Sequence, residues 1–188
     1  MKKISLLILI LSSTLGISQE VEKKSIFDRK HEVKFGSIKM LAGTIFEGTY
    51  EYIHSKDFTY GSSILVNLDK ENDYLEDFSV TPFARFYFQE SKEYGAKGFF
   101  VVGFGKYASG KNFSPYDYVN YDEYGNLVSY EHKLKYKAAS IGLALGKKWI
   151  NSSGFVFEIL GGISRNIGNS SNTPDVLFRG DLNIGYRF

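Results

Sequence analysis

The chain contains no cysteine. That excludes a disulfide framework, a thiolate metal site and a lipid anchor hung on an N-terminal cysteine. No apolar stretch approaches the roughly 20 residues that a helix needs to cross a bilayer, and the longest, Ile4 to Leu11, falls well short. An excess of one charge is lacking too. The formal net charge is +2, so there is no electrostatic reason to expect nucleic acid as a partner. Metal-ligand clusters, phosphate-cradling glycine loops and nucleophile elbows are missing, and no cofactor is expected. No internal repeat or low-complexity linker argues for a second domain.

What is present starts with Lys2 and Lys3, the apolar run, and Gly16 and Ser18 at the positions read before a cleavage. This layout predicts a secretory signal peptide over residues 1–18, to be left out of the fold. Its removal takes away two lysines and brings the mature chain to about zero charge. The remaining composition is unusual for a soluble domain, with 16% aromatic residues and 19 glycines at a slightly negative mean hydropathy. A surface alternating by residue between lipid and a polar interior produces such a mixture.

After residue 30 the pattern is period-two alternation between turn-forming clusters, the mark of an antiparallel all-β chain. Eight strands are expected, over residues 31–40, 44–54, 58–68, 78–89, 98–107, 134–149, 155–165 and 175–188. Residues 19–30 then form a short N-terminal segment, and 31–188 an up-and-down transmembrane β-barrel. Ten strands are the alternative, because the long connection over residues 108–133 contains Gly125-Asn126, a plausible hairpin tip. If the N-terminus faces the periplasm, the even-numbered links are periplasmic and short, as in bacterial barrels.

The faces follow from parity. Val176, Phe178, Leu182, Ile184, Tyr186 and Phe188 oppose Arg179, Asp181, Asn183 and Arg187, while Ile141, Leu143 and Leu145 oppose Ser140, Gly142, Ala144 and Gly146. A small eight-stranded barrel has little internal room, so the small and charged face is expected to point inward. Inward positions are then Glu47, Glu51, Arg85, Lys148, Glu158, Arg179, Asp181 and Arg187, four acids and four bases. Paired charges of both signs predict a hydrogen-bonded network blocking the lumen. Charges solvated at the rims would instead leave a narrow channel. Tyr50, Tyr52, Trp149 and Tyr186 fall near the periplasmic strand ends, where amphipathic rings form a girdle.

On these residues the chain resembles the small eight-stranded outer-membrane barrels of the OmpA and OmpX type, and more narrowly the small barrels of Bacteroidota-like bacteria. The resemblance covers residues 31 to 188, and its sharpest element is the alternation Leu182, Ile184, Tyr186, Phe188. It implies that this segment is read by the barrel-assembly machinery. It also implies a Gram-negative outer membrane as the location, with outer-membrane lipids and lipopolysaccharide as partners. Barrels of this size share no one activity, serving as staples, adhesins, shielding surfaces or lipid-modifying enzymes. Of three histidines, His31 and His54 fall at the periplasmic side, and His132 lacks a companion nucleophile. The chain is therefore expected not to be an enzyme, with lipid A modification as the lesser reading. The connection over 108–133 is rich in Tyr116, Tyr118, Tyr121 and Tyr124, the residue type that recognition loops favour for its rigid contact area. An extracellular partner bound through this loop is one reading; cross-strand stabilisation of a hairpin is the other. Asp117, Asp122 and Glu123 lack the ligand spacing of a calcium loop.

Overall fold

The computed structural model describes residues 25–188 except 70, 71, 73, 89–93, 114–117, 122–126, 131, 132 and 168–172. Residues 1–18, expected to be a signal peptide, lie outside the described residues. Eight strands close into an antiparallel barrel: β1 (His31–Gly36), β2 (Ile45–Ile53), β3 (Phe58–Asn67), β4 (Glu76–Phe88), β5 (Gly98–Phe113), β8 (Lys133–Ile150), β9 (Phe155–Asn166) and β10 (Val176–Arg187). Each pairs with its neighbour along the chain, and β1 pairs with β10 through Glu32↔Arg187 and Phe35↔Ile184 to close the seam. Closure leaves no open sheet edge. Two further strands, β6 (Tyr118–Tyr121) and β7 (Leu127–Tyr130), form a separate hairpin in the β5–β8 connection. Eight strands thus make the barrel, and the extra pair stands apart from it.

Two strand boundaries differ from the sequence reading by more than two residues. The first strand stops at Gly36 rather than Met40, because Ser37–Gly43 form a short helix, α1. Lys39, Met40, Leu41 and Ala42 are good helix formers. The Asp181 carboxylate accepts a hydrogen bond from the Ile38 amide (3.2 Å), one of the free N–H groups of a helix start. At the other end Thr44 takes a left-handed conformation (φ 58°) that lets the chain turn into β2. The second difference lies in β5 and β8, which stay paired out to Phe113↔Lys133, beyond the expected end at Tyr107. Alternation persists there with a change of character: Lys135 and Lys137 are exposed while Tyr136 and Ala138 are buried.

The turns at the opposite, N-terminal rim are held by side-chain oxygens. Ser55 Oγ accepts from the amide of Phe58 (3.0 Å), and Asn151 Oδ1 from those of Ser153, Gly154 and Phe155 (3.0, 3.0 and 2.9 Å). A 3-10 turn over Ile26–Asp28 places Ile26 against Ile150 and Val156 at this rim.

Glycine marks where chains approach closely. A Cβ on Gly185 would lie 2.2 Å from the Val33 carbonyl oxygen across the closing seam, whereas one on Gly161 meets nothing within 4 Å. Gly185→Ala is expected to destabilise the barrel by about 1–3 kcal/mol and Gly161→Ala to stay within about 0.5 kcal/mol. Urea titration of the two variants checks the difference.

Candidate functional site: the charged lumen

Six of the eight charged residues expected inward lie within 5% of full burial: Glu51, Arg85, Lys148, Glu158, Arg179 and Arg187. Glu47 (7%) and Asp181 (8%) are only slightly more open. The structure does not bring all eight together. They divide into a cluster with saturated carboxylates toward the N-terminal rim and a looser one toward the loops.

The first cluster is built on three carboxylates and includes two residues the sequence reading missed, Glu32 and Lys34 of β1. Lys34 Nζ sits among the carboxylates, 2.5 Å from Glu51 Oε2, 2.7 Å from Glu158 Oε2 and 3.2 Å from Glu32 Oε1. Arg85 donates from Nη1 to Glu51 (2.9 Å) and Glu158 (2.5 Å), and from Nη2 to the second Glu158 oxygen (3.0 Å). Lys148 spans Glu32 and Glu51, at 2.9 Å from each. Neutral donors fill the remaining lone pairs: Thr59 Oγ1 (2.6 Å) and Tyr87 Oη (2.9 Å) to Glu51, and Asn183 Nδ2 (3.1 Å) to Glu158. With Arg187 Nε on Glu32 Oε2, every oxygen of the three carboxylates is met, while Arg85 Nε has no hydrogen-bond partner among the described residues. The three carboxylates come within 4.8 Å of one another, a grouping that could hold a metal ion. Here the Lys34 ammonium fills that position.

Arg187 carries the network to the N-terminal rim. Its Nε donates to Glu32 (3.1 Å), and its two terminal nitrogens donate to the carbonyls of Tyr94, Gly95 and Ala96 (3.0, 3.1 and 3.1 Å). Residues 94–96 of the β4–β5 turn are so tied to β10 at the N-terminal rim.

Toward the loops, Lys39 pairs with Glu47 and Lys106 with Glu76. Arg179 donates to Ser63 Oγ (3.3 Å) and lies between the rings of Phe83 and Phe104, at 5.3 and 4.9 Å from their centroids. Satisfaction is incomplete here: Arg179 Nη1, Asp181 Oδ2, Glu76 Oε2 and Tyr136 Oη have no protein partner among the described residues.

The interior is not uniformly polar, which corrects the expectation of small and charged inward residues. Phe83, Tyr87, Phe100, Val102, Phe104 and Leu160 are buried together. On β4 and β5 the volumes are exchanged: the outward positions opposite these rings include Pro82, Ala84, Gly103 and Gly105. The lumen is therefore half ion network and half aromatic wall, joined where Arg85 lies 4.5 and 4.7 Å from the ring centroids of Phe83 and Phe100.

The outer face is the inverse. Leu143, Leu145, Ile159, Ile163 and Ile184 are exposed at mid-height, with Leu143 at 66%. Phe58, Tyr60, Phe86, Phe88, Trp149 and Phe155 are exposed around the N-terminal rim, and Phe35, Phe46, Phe78, Tyr107 and Phe178 on the loop side. Of the expected girdle, Tyr50, Trp149 and Tyr186 are exposed and Tyr52 is half-buried. On β10 the alternating set of Ile184, Tyr186 and Phe188 is exposed and Leu182 half-buried.

His31 Nδ1 lies 2.7 Å from the Tyr50 hydroxyl and its ring stacks on Phe188, while His54 packs edge-on to Phe58. Both are thus engaged at the N-terminal rim. His132, Tyr116, Tyr124, Asp117, Asp122 and Glu123 lie outside the described residues. Tyr118 and Tyr121 start and end β6, paired with Tyr130 and Leu127. Compared with protein-family models, curated proteins and solved structures, the chain matches none.

Breaking one arm of the saturated cluster strands a buried cation. Glu158→Gln is expected to cost about 3–5 kcal/mol. Adding Lys34→Met to it should recover part of that loss, because the cation left over is removed too. A double-mutant cycle by urea titration measures the coupling, and strict additivity would show that the two side chains do not interact.

Proposed function

We propose that the protein is a non-enzymatic outer-membrane barrel of the OmpA and OmpX type, reached after signal-peptide-dependent export. Its lumen is closed by the ion network, and it holds its longer connections at the cell surface. The observation that carries the reading is the inversion of the barrel: ionised side chains are buried in the bore and large aliphatic and aromatic ones are exposed outside. A water-facing barrel with this distribution would expose a continuous apolar belt, far larger than the patches soluble monomers tolerate. From Phe178 to Phe188 the exposed face of β10 runs ten residues. With a rise of about 3.3 Å per residue and a tilt of about 40°, that is roughly 25 Å of height, matching the apolar band of such barrels. Aliphatic groups at mid-height between two aromatic girdles agree with hydrocarbon flanked by headgroups.

Orientation follows from the connections. The links at the N-terminal rim after β2 and β8 are tight, spanning residues 54–57 and 151–154, while the other rim carries α1, the extended β5–β8 pair and the β6–β7 hairpin. Placing the longer links outside supports a surface role, in shielding or in contact with an extracellular partner through residues 108–133. The alternative of a narrow channel needs an open bore. The saturated cluster and the Arg187-held turn favour a closed one, so planar-bilayer recordings of the folded protein are expected to show no unitary conductance. Steady openings would favour the channel.

Leu143 separates a lipid-facing barrel from a water-facing one. Leu143→Arg should cost about 2–4 kcal/mol if this position meets hydrocarbon, and next to nothing if it meets water. Folding into lipid vesicles, followed by the shift between unboiled and boiled mobility on gels, gives the readout. A neutral effect would overturn the membrane placement.

A further inference from the structure

The outward face has one exception to its apolar character. Below Tyr107 on β5, Ala139 on β8 and Ile163 on β9, and over the exposed positions of the strands beside them, Lys147 is the only charged residue that points outward among the described residues. Its ammonium lies 4.6 Å from the ring centroid of Phe99 and 5.1 Å from that of Trp149. Rings at this distance hold a cation in place without neutralising it. No carboxylate among the described residues pairs with it.

Lys147 also stands at the N-terminal end of a groove of about 370 Å³ on the outer wall, lined by Phe88, Phe99, Leu145, Ile159 and Gly161. The groove exists because side chains are missing from the wall. A Cβ on Gly161 would meet no atom within 4 Å, although its strand neighbours Leu145 and Ile159 present full-sized side chains. An apolar furrow with an unpaired cation at one end, at the height of the aromatic girdle, matches the two parts of a phospholipid.

We infer that this furrow is a binding site for an anionic phospholipid of the periplasmic leaflet, with its phosphate on Lys147 and one acyl chain lying past Gly161. The inference rests on the membrane placement proposed above. Charge complementarity chooses the occupant: among the described residues the wall presents a single positive charge and no carboxylate paired with it. A phosphate with net negative charge is therefore preferred to a zwitterionic headgroup, whose ammonium would meet Lys147's own charge.

Trp149 is the only tryptophan in the chain, so it reports on its lipid neighbours without labelling. The full-length folded protein is reconstituted in phosphatidylcholine vesicles holding a small, equal fraction of acyl-brominated phosphatidylglycerol or acyl-brominated phosphatidylcholine. Quenching of Trp149 should show phosphatidylglycerol enriched by about fivefold at this site, the preference expected of one interfacial lysine. Lys147→Gln should abolish the enrichment. Gly161→Leu, which fills the furrow and leaves Lys147 in place, should reduce it as well, with heat-modifiable mobility showing that both variants fold. Equal quenching by the two lipids in the wild type overturns the site. Loss in Lys147→Gln with no effect of Gly161→Leu also overturns it, leaving only general attraction to a charged surface. If neither brominated lipid quenches Trp149 in the folded protein, the membrane placement itself fails.

Discussion

The arrangement of this barrel turns on one ammonium group held by three carboxylates. Lys34 Nζ lies within 3.2 Å of Glu32, Glu51 and Glu158, all of them fully buried. Buried charges are costly, and such a cluster persists only when its carboxylate oxygens are met. Meeting them demands donors from all round the bore: β1, β2 and β9 provide the carboxylates, and β3, β4, β8 and β10 provide Thr59, Arg85, Tyr87, Lys148, Asn183 and Arg187. Seven of the eight barrel strands are thereby tied to one another through side chains. Backbone pairing fixes each strand to its two neighbours; the ion network fixes strands across the bore.

The eighth strand explains why the lumen is two-sided. β5 contributes Phe100, Val102 and Phe104 to the interior, with Lys106 above them. Its small outward residues, Gly103 and Gly105, leave the outer wall thin at the height where the inner wall is thick. An aromatic wall beside the ion pairs keeps solvent from them, which strengthens their attraction. Rings and charges also meet directly, since Arg85 lies between Phe83 and Phe100 and the Lys148 ammonium is 5.0 Å from the Tyr87 ring. The two halves of the interior therefore depend on each other.

Much of this was legible in the order of residues, for a geometric reason. A strand has a side-chain period of two, so assigning the face of one residue assigns the whole strand. Leu143, Phe157, Glu158 and Arg179 carry contrasting neighbours, and their faces could be read directly. The same parity would have found Glu32 and Lys34, which alternate with Val33 and Phe35; the signal was there but confined to a six-residue strand. β4 and β5 were harder. In Phe83-Ala84-Arg85-Phe86-Tyr87-Phe88 both faces carry aromatics, and period two assigns residues to a face without saying which face is the inside. The helix α1 was hidden differently: Ile38, Met40 and Leu41 read as strand continuation by hydrophobicity. The deciding contact is with Asp181, more than a hundred residues away.

The two rims differ in how completely their polar groups are met, and that difference gives the barrel a direction. Arg187 spends its Nε on Glu32 and its terminal nitrogens on three carbonyls of the β4–β5 turn, which ties that turn to the N-terminal rim. At the loop rim Arg179, Asp181, Glu76 and Tyr136 each keep one polar atom without a protein partner among the described residues. Polar groups in that state are tolerated where solvent can reach them and are costly where it cannot. The four atoms are buried, so the loop-side cluster carries more unmet polarity than the one built on Glu51 and Glu158, where Arg85 Nε is the unmet atom among the described residues. The ion network is the cross-brace of the strands, so a substitution that broke it would loosen ties that backbone pairing between neighbours does not supply.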